Sequence, residues 1–468
     1  MNATTLNAAI PASDLITPIY AEITVSTPAP GGGVSAVRQF AVRINVSGPL
    51  IAAGLEHTCA LSGFTAYCWG ANNVGQIGDG TTTDRPAATA VSGNYSFVSL
   101  SAYLSTTCGL DLIGLAYCWG SNSSGIRGPG TGTTGNTPNA VADARQYRSL
   151  SVGSSHVCAV DLTGAAWCWG NNFSGELGNN TTTALSRPTA VLGSLTFMAI
   201  AAGRNFTCAI TVSGAPYCWG ENSGGALGDG SNIDRLVPTA VQTAVTFVNI
   251  FAGDQSACAR TAAGALYCWG IGNVGQLGQG SFSSTVAPVL NMTPAVASAD
   301  AGGGHSCAIT AAGALYCWGD NRYGQLGTGN TTDRNASVLI SGLPSVRDVS
   351  SGVRHTCALT TSAEVYCWGS KGRGQLGDGT TAFRLSPAQV SGGATPFTAV
   401  QVGDEFSCGL RNTGRVSCWG SARYGQVGNG SNNDAAVPTD VSGSNTYLAL
   451  TVGNYHACAI VSGTRAAQ

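Results

Sequence analysis

Apolar runs of four to seven residues recur along the chain, each cut off by glycine-rich turns. FVSLSA (97–102), FMAIAAG (197–203) and FVNIFAG (247–253) are examples. They carry β-branched and aromatic residues and lack the 3.6-residue periodicity of a helix, so they read as short strands. Each run leads into the same phrase: Cys-Ala-apolar, a turn, aromatic-Cys-Trp-Gly, Gly-Gln-Leu-Gly or a variant, a polar loop, then Pro-x-x-Val. The first cysteines of successive phrases are 49, 50, 50, 50, 49, 50, 51 and 50 positions apart. One period holds four strands, here named a to d in chain order. A four-stranded repeat of this length is the blade of a β-propeller, so the expected fold is all-β.

The turn between b and c can be read residue by residue. Between Cys158 and Cys168 lies AVDLTGAAW. If the cysteines face each other, Asp161 faces Ala165 and the loop is Leu162-Thr163-Gly164. A three-residue hairpin loop needs a left-handed last residue, which glycine supplies. Gly114, Gly214, Gly264, Gly313 and Gly414 hold that place, whereas the seventh repeat has Ala363. In the first repeat Cys59 and Cys68 are nine apart, and the two-residue loop Gly63-Phe64 suits a type II′ turn.

Side chains alternate along a strand, so Cys168 points one way and Trp167 and Trp169 the other. Both blade faces of a propeller pack on neighbouring blades. The tryptophans at 69, 119, 169, 219, 269, 318, 368 and 419 are therefore expected as inter-blade core. Three residues later stand Asn72, Asn122, Asn172, Asn222, Gly272, Asn321, Gly372 and Ala422. The Asn/Gly alternation there points to a left-handed backbone position. Leu177, Leu227, Leu277, Leu326 and Leu376 are expected to plug the following Gly-x-x-Gly loop into the core.

The chain has seventeen cysteines, with no Cys-x-x-Cys and no histidine at zinc-ligand spacing. Regular pairing without metal spacing points to hairpin disulfides: Cys59–Cys68, Cys108–Cys118, Cys158–Cys168, Cys208–Cys218, Cys258–Cys268, Cys307–Cys317, Cys357–Cys367 and Cys408–Cys418. Cys458 is left over as a free thiol. Disulfides place the protein in an oxidising compartment, extracellular or at the cell surface, although residues 1–20 lack the basic start and apolar stretch of an export signal. No apolar run is long enough for a membrane span. Charged residues are 9% of the chain and the net charge is −2, which gives no electrostatic reason to expect nucleic acid as a partner.

The phrase HTCAL…YCWGxNxxGQLGxG resembles the repeat of the regulator of chromosome condensation family, across residues 48–462. The resemblance implies a β-propeller, usually of seven blades, but no single function. Members include a chromatin-bound nucleotide exchange factor, a plant ultraviolet photoreceptor and a secreted bacterial inhibitor of β-lactamases. The paired cysteines look like a bacterial, exported variant. Repeats of 49–51 residues leave no room for the protruding hairpin of the exchange factor. The stretches GLEHT, GSSHV, GGGHS, GVRHT and GNYHA lack the tryptophan of the photoreceptor motif.

Other candidate chemistry dissolves into the repeat. His57, His156, His305, His355 and His456 share a position with Thr106, Phe206, Ser256 and Phe406, so they read as structural. GIGNVG (270–275) matches a dinucleotide fingerprint with no helix after it. DGTTTD (79–84) and DGSNID (229–234) read as turns rather than calcium loops, because their leading Asp is Asn179, Gln279, Thr328 and Asn429 elsewhere. No catalytic set, cofactor or metal site is assignable. What varies is the loop after Gly-x-x-Gly, where Arg85, Arg235, Arg334 and Arg384 recur. The expected function is a non-catalytic secreted or surface-displayed scaffold that recognises a protein or glycan through these loops. The alternatives are a self-associating subunit of an extracellular polymer and an enzyme with a site in the central channel.

The last repeat stops after strand b. Strands a and b occur nine times, c and d eight times. IYAEITVST (19–27) and residues 38–46, within RQFAVRINVSG (38–48), are expected to supply c and d of a ninth blade and to close the ring. The expected fold is thus one propeller, of nine blades closed by N-terminal strands, or of eight or seven with an extra partial blade. Residues 1–47 supply the closing strands or form the tail of an immunoglobulin-like domain, 48–462 form the propeller, and 463–468 form a tail.

Overall fold

The computed structural model describes 21–23, 38–40, 51–53 and 57–461, apart from residues 63, 130–134, 254, 292, 302–303, 353, 371, 382, 392–395, 424 and 453–456. Eight antiparallel four-stranded sheets follow one another in strand order a-b-c-d. Blade 3 is typical, with strands Tyr147–Val152, His156–Asp161, Ala166–Gly170 and Leu185–Ala190. Successive a strands adjoin around the ring, and that of the final strand pair lies beside that of blade 1. The a strands of blades 5 and 6 stand apart where they face the channel. Among the described residues no helix is long and apolar enough to cross a membrane.

In every blade the two cysteines are direct cross-strand partners. All eight hairpin disulfides form, with Cα atoms 4.1–4.2 Å apart. The b–c loops are as expected. The Asp161 N–H donates to Ala165 O and the Gly164 N–H to Asp161 O, with Gly164 at φ +91°. Ala363 takes the same left-handed conformation at φ +66°, although it has a Cβ. In blade 1, Ser62 pairs with Thr65, as a two-residue loop requires.

The two faces of a blade pack on different neighbours. The tryptophans of blades 2 to 8 are buried. Trp169, Trp219, Trp269, Trp318 and Trp368 donate their indole N–H to a backbone carbonyl in the loop of the preceding blade, at 2.8–2.9 Å. The last glycine of that loop must lack a side chain. A Cβ on Gly178 would lie 2.9 Å from the Trp219 nitrogen, and the same holds at Gly78, Gly128, Gly228, Gly278, Gly327 and Gly377. At Gly428, among the described residues, the Cβ would meet only Val441. Blade 8 thus receives no Trp-bearing strand from the unit after it.

That unit is a two-stranded sheet, Tyr447–Val452 and Ala457–Val461. The described residues therefore give eight complete blades and a partial ninth. Ala21–Ile23 and Arg38–Phe40 do pair as an antiparallel hairpin, in the register Ala21↔Phe40. Among the described residues this hairpin is a sheet of its own, not joined to the final pair. The rest of 1–50, His456, the thiol of Cys458 and the 463–468 tail lie outside the described residues.

Candidate binding face

The c–d loops all emerge at one end of the blades, and a buried amide organises those of blades 1, 3, 4 and 6. The Asn172 side-chain N–H₂ donates to the carbonyls of Thr181 and Thr183, at 2.8 and 3.1 Å. Its Oδ1 accepts the Leu177 N–H at 2.9 Å. Asn72, Asn222 and Asn321 make the same three contacts. This corrects the left-handed reading of these positions: Asn122 and Asn222 have φ of −126° and −120°. The amide is selected for its two donors and one acceptor, which hold a loop of some ten residues against the blade. Glycine or alanine at this position in repeats 5, 7 and 8 hid that role. The plug residues Leu177, Leu227, Leu277, Leu326 and Leu376 are buried as expected. Blade 2 buries Arg127 in the plug position, where loss of solvation pulls its pKa below the ordinary value.

Three of the four recurring arginines act inside their own loops. Arg85, Arg235 and Arg384 donate from Nε to Asp79, Asp229 and Asp378, at 2.5–2.6 Å. Burial opposes ionisation of Asp79. The Thr81 hydroxyl and N–H and the Arg85 guanidinium outweigh it and hold the carboxyl below its usual range. Asp229 is held down in the same way by Arg235 and Ser231. These acids are thus engaged by their own loops. Arg334 differs, because Thr328 stands where the other loops have aspartate; its Nε is buried without a hydrogen-bond partner. The side chains of Arg85 and Arg235 keep about a third of their surface exposed. They brace the loops first and are available to a partner second.

The same loops expose large apolar side chains: Phe173 in blade 3, Ile233 in blade 4, Phe282 in blade 5 and Phe383 in blade 7. Phe173 is 77% exposed. Single exposed apolar residues are ordinary; these four share the c–d loop end of the blades. Sequence reasoning pointed to these loops and missed these residues. Their signal was an aromatic or β-branched residue at a place where most other repeats put a polar or charged residue.

The four described histidines join neighbouring blades. His57, His156, His305 and His355 are buried, and each Nε2 lies 2.6–3.0 Å from a hydroxyl of the next blade: Thr107, Thr207, Thr356 and Ser407. Desolvation lowers the pKa of His156 and of His305 to about 4.

The chain matches the RCC1-like domain family over residues 33–345 and again over 186–459. No curated protein matches it. Among solved structures it is similar to human WBSCR16, at 20% identity and a TM-score of 0.53, covering 75% of this chain and all of that one. It is also similar to Prp20p from Saccharomyces cerevisiae, whose structure was described with its binding to Gsp1p and histones. That match has 22% identity and a TM-score of 0.52, over 75% of this chain and 92% of that one. Yeast RCC1 (Prp20) bound to Kap60 matches at 22% identity and a TM-score of 0.51, over 73% of this chain and 87% of that one.

Proposed function

The chain belongs to the RCC1-like domain family, and from that premise we propose that it is a non-catalytic binding scaffold whose c–d loop face docks a protein. The observation that carries this reading is the set Phe173, Ile233, Phe282 and Phe383, exposed on c–d loops of which those of blades 3, 4 and 7 are braced by a buried asparagine or an ion pair. Rigid loops lose little entropy on binding, and aromatic side chains supply most of the energy at such interfaces. Solved relatives of the same fold bind proteins. The eight disulfides support an oxidising, extracellular setting. In support of a non-catalytic role, the central cavity contains one described carboxylate, Asp300, whose Oδ2 already accepts the Ser351 N–H at 2.6 Å.

The test is capture from the source organism's medium and envelope with wild-type protein and with F173S/F282S/F383S. The triple variant is expected to lose the captured protein while melting within a few degrees of wild type. Undiminished capture by a folded triple variant would place the contact elsewhere. Capture of a second copy of this chain through the same face would favour the assembly reading.

A further inference from the structure

Seven of the eight disulfides are sealed inside the ring, and one is not. Both cysteines are buried in every pair except Cys258–Cys268, where Cys268 is buried and Cys258 is partly exposed. The cause is the seam between blades 5 and 6. At other seams a residue of the next blade covers the first cysteine. Thr107 Oγ1 lies 3.7 Å from Cys59 Sγ, Thr207 Oγ1 3.5 Å from Cys158 Sγ, and Ser407 Oγ 3.7 Å from Cys357 Sγ. At this seam the covering position holds Ser306, which is itself partly exposed.

Two further changes of side-chain volume hold the seam open. Facing Cys258 on strand a is Phe251, where other blades have Ala52, Ser101, Ser151, Ala201, Asp300, Ser350 or Gln401. Several of the small ones reach the next blade: the Ser101 and Ser151 hydroxyls accept the N–H of Val152 and Ala202. Phe251 has no such acceptor and is 48% exposed. On the blade 6 side, Ala299 stands where other blades have Leu100, Leu150, Ile200, Ile250, Val349 or Val400, and it is exposed. The outer half of the seam is shut, with the Trp318 N–H on Gln276 O and the Gly280 N–H on Asn335 O. The result is a wedge beside Cys258, lined by Phe251, Ser256, Ala299, Ser306 and Trp318, that opens into the central cavity; wedge and cavity together enclose about 890 Å³.

We propose that Cys258 is a thiol–disulfide exchange site, reached through this wedge by a small thiol of the size of a tripeptide. Exchange requires the attacking thiolate to approach along the line of the S–S bond, on the side away from the leaving sulfur. Cys268 lies on strand c and Cys258 on strand b, so that line runs toward strand a and the channel. The thiolate bonds to Cys258 Sγ as the Cys258–Cys268 bond breaks, and Cys268 leaves as a thiolate that takes a proton from solvent. A second thiolate then attacks the sulfur of the reagent in the mixed disulfide and frees Cys258. Two electrons pass to the protein, and the two reagent molecules leave as their own disulfide. In the other seven blades the same attack must wait for blades to separate.

The experiment treats the full chain with reduced glutathione under native conditions, quenches with an alkylating agent and reads each cysteine by mass spectrometry. Cys258 and Cys268 are expected to be labelled at least about tenfold faster than the other seven pairs. A Cys258–glutathione adduct should precede any on Cys268. Ala299→Leu refills the wedge, and Ser306→Thr copies the cover of Cys59 and Cys158. Each is expected to bring the rate down toward that of the other pairs, and the second serves if the first fails to fold. Simultaneous labelling of all eight pairs, earlier labelling of another pair, or an unchanged rate in a folded variant overturns the proposal.

Discussion

His156 Nε2 lies 2.9 Å from Thr207 Oγ1, tying blade 3 to blade 4 across 51 positions of chain. The Thr207 hydroxyl donates its own proton to Glu176 O, at 3.1 Å. The histidine must therefore be the donor, with its hydrogen on Nε2. Where the first residue is Phe206 instead, the facing residue is Ala257, which has room for the ring; Phe406 faces Ala457 at the same repeat positions. Hydroxyl goes with histidine and methyl with phenylalanine, because a buried polar atom needs a partner and a ring needs space.

This pairing makes a double-mutant prediction. His156→Phe alone crowds Thr207, and Thr207→Ala alone strands a buried imidazole N–H. Each is expected to cost about 2 kcal/mol. Together they rebuild the Phe206–Ala257 seam, so the double variant should recover much of the loss. Chemical denaturation of the four proteins should give a coupling of about 1–3 kcal/mol. Additive losses would show that the two seams are not interchangeable.

Acid should loosen the ring through its buried histidines. A second proton on His156 would go to Nδ1, which is buried without a partner, and burial lowers the pKa to about 4. His305 behaves alike, and burial takes His355 to about 3. The folded pKa values lie below the ordinary 6.5, so as pH falls the unfolded chain takes up protons first. The contribution is whole above pH 6.5 and is lost progressively down to about pH 4, on the order of 3 kcal/mol per histidine. Urea midpoints from pH 7.5 to 4 should fall along that window. The H156F/T207A variant should fall less steeply than wild type.

The b–c turn of blade 7 is strained by one methyl group. Ala363 sits at φ +66°, where its counterparts are glycine. Ala363→Gly should raise stability by about 1 kcal/mol, since relief of the left-handed penalty exceeds the entropy glycine adds to the unfolded chain. A lower melting temperature would mean that the methyl contacts outweigh the strain.

The loop amide separates donor from acceptor. Asn172→Asp keeps the oxygen that accepts the Leu177 N–H but turns a second oxygen toward the Thr181 and Thr183 carbonyls. Asn172→Ala removes all three bonds. Both should destabilise by roughly 2–3 kcal/mol, with the aspartate variant the worse at neutral pH and partly rescued near pH 4. Equal losses at every pH would mean that the amide donors contribute little.

The sequence by itself determined the strands, the hairpins and the eight disulfides. These rest on local rules: period-two alternation, a nine- or ten-residue spacing, and a glycine where a loop turns left-handed. It also pointed to the buried tryptophans, since any second blade must cover that face. Only the tertiary structure decided which arginines brace their own loops and which aromatic residues the loop face exposes. It alone decided that the buried asparagines act through side-chain bonds rather than backbone conformation. The opening beside Cys258 belongs with these. Phe251, Ala299 and Ser306 are each unremarkable in their own strands, and the wedge appears when two blades meet and their side-chain volumes are summed across the seam.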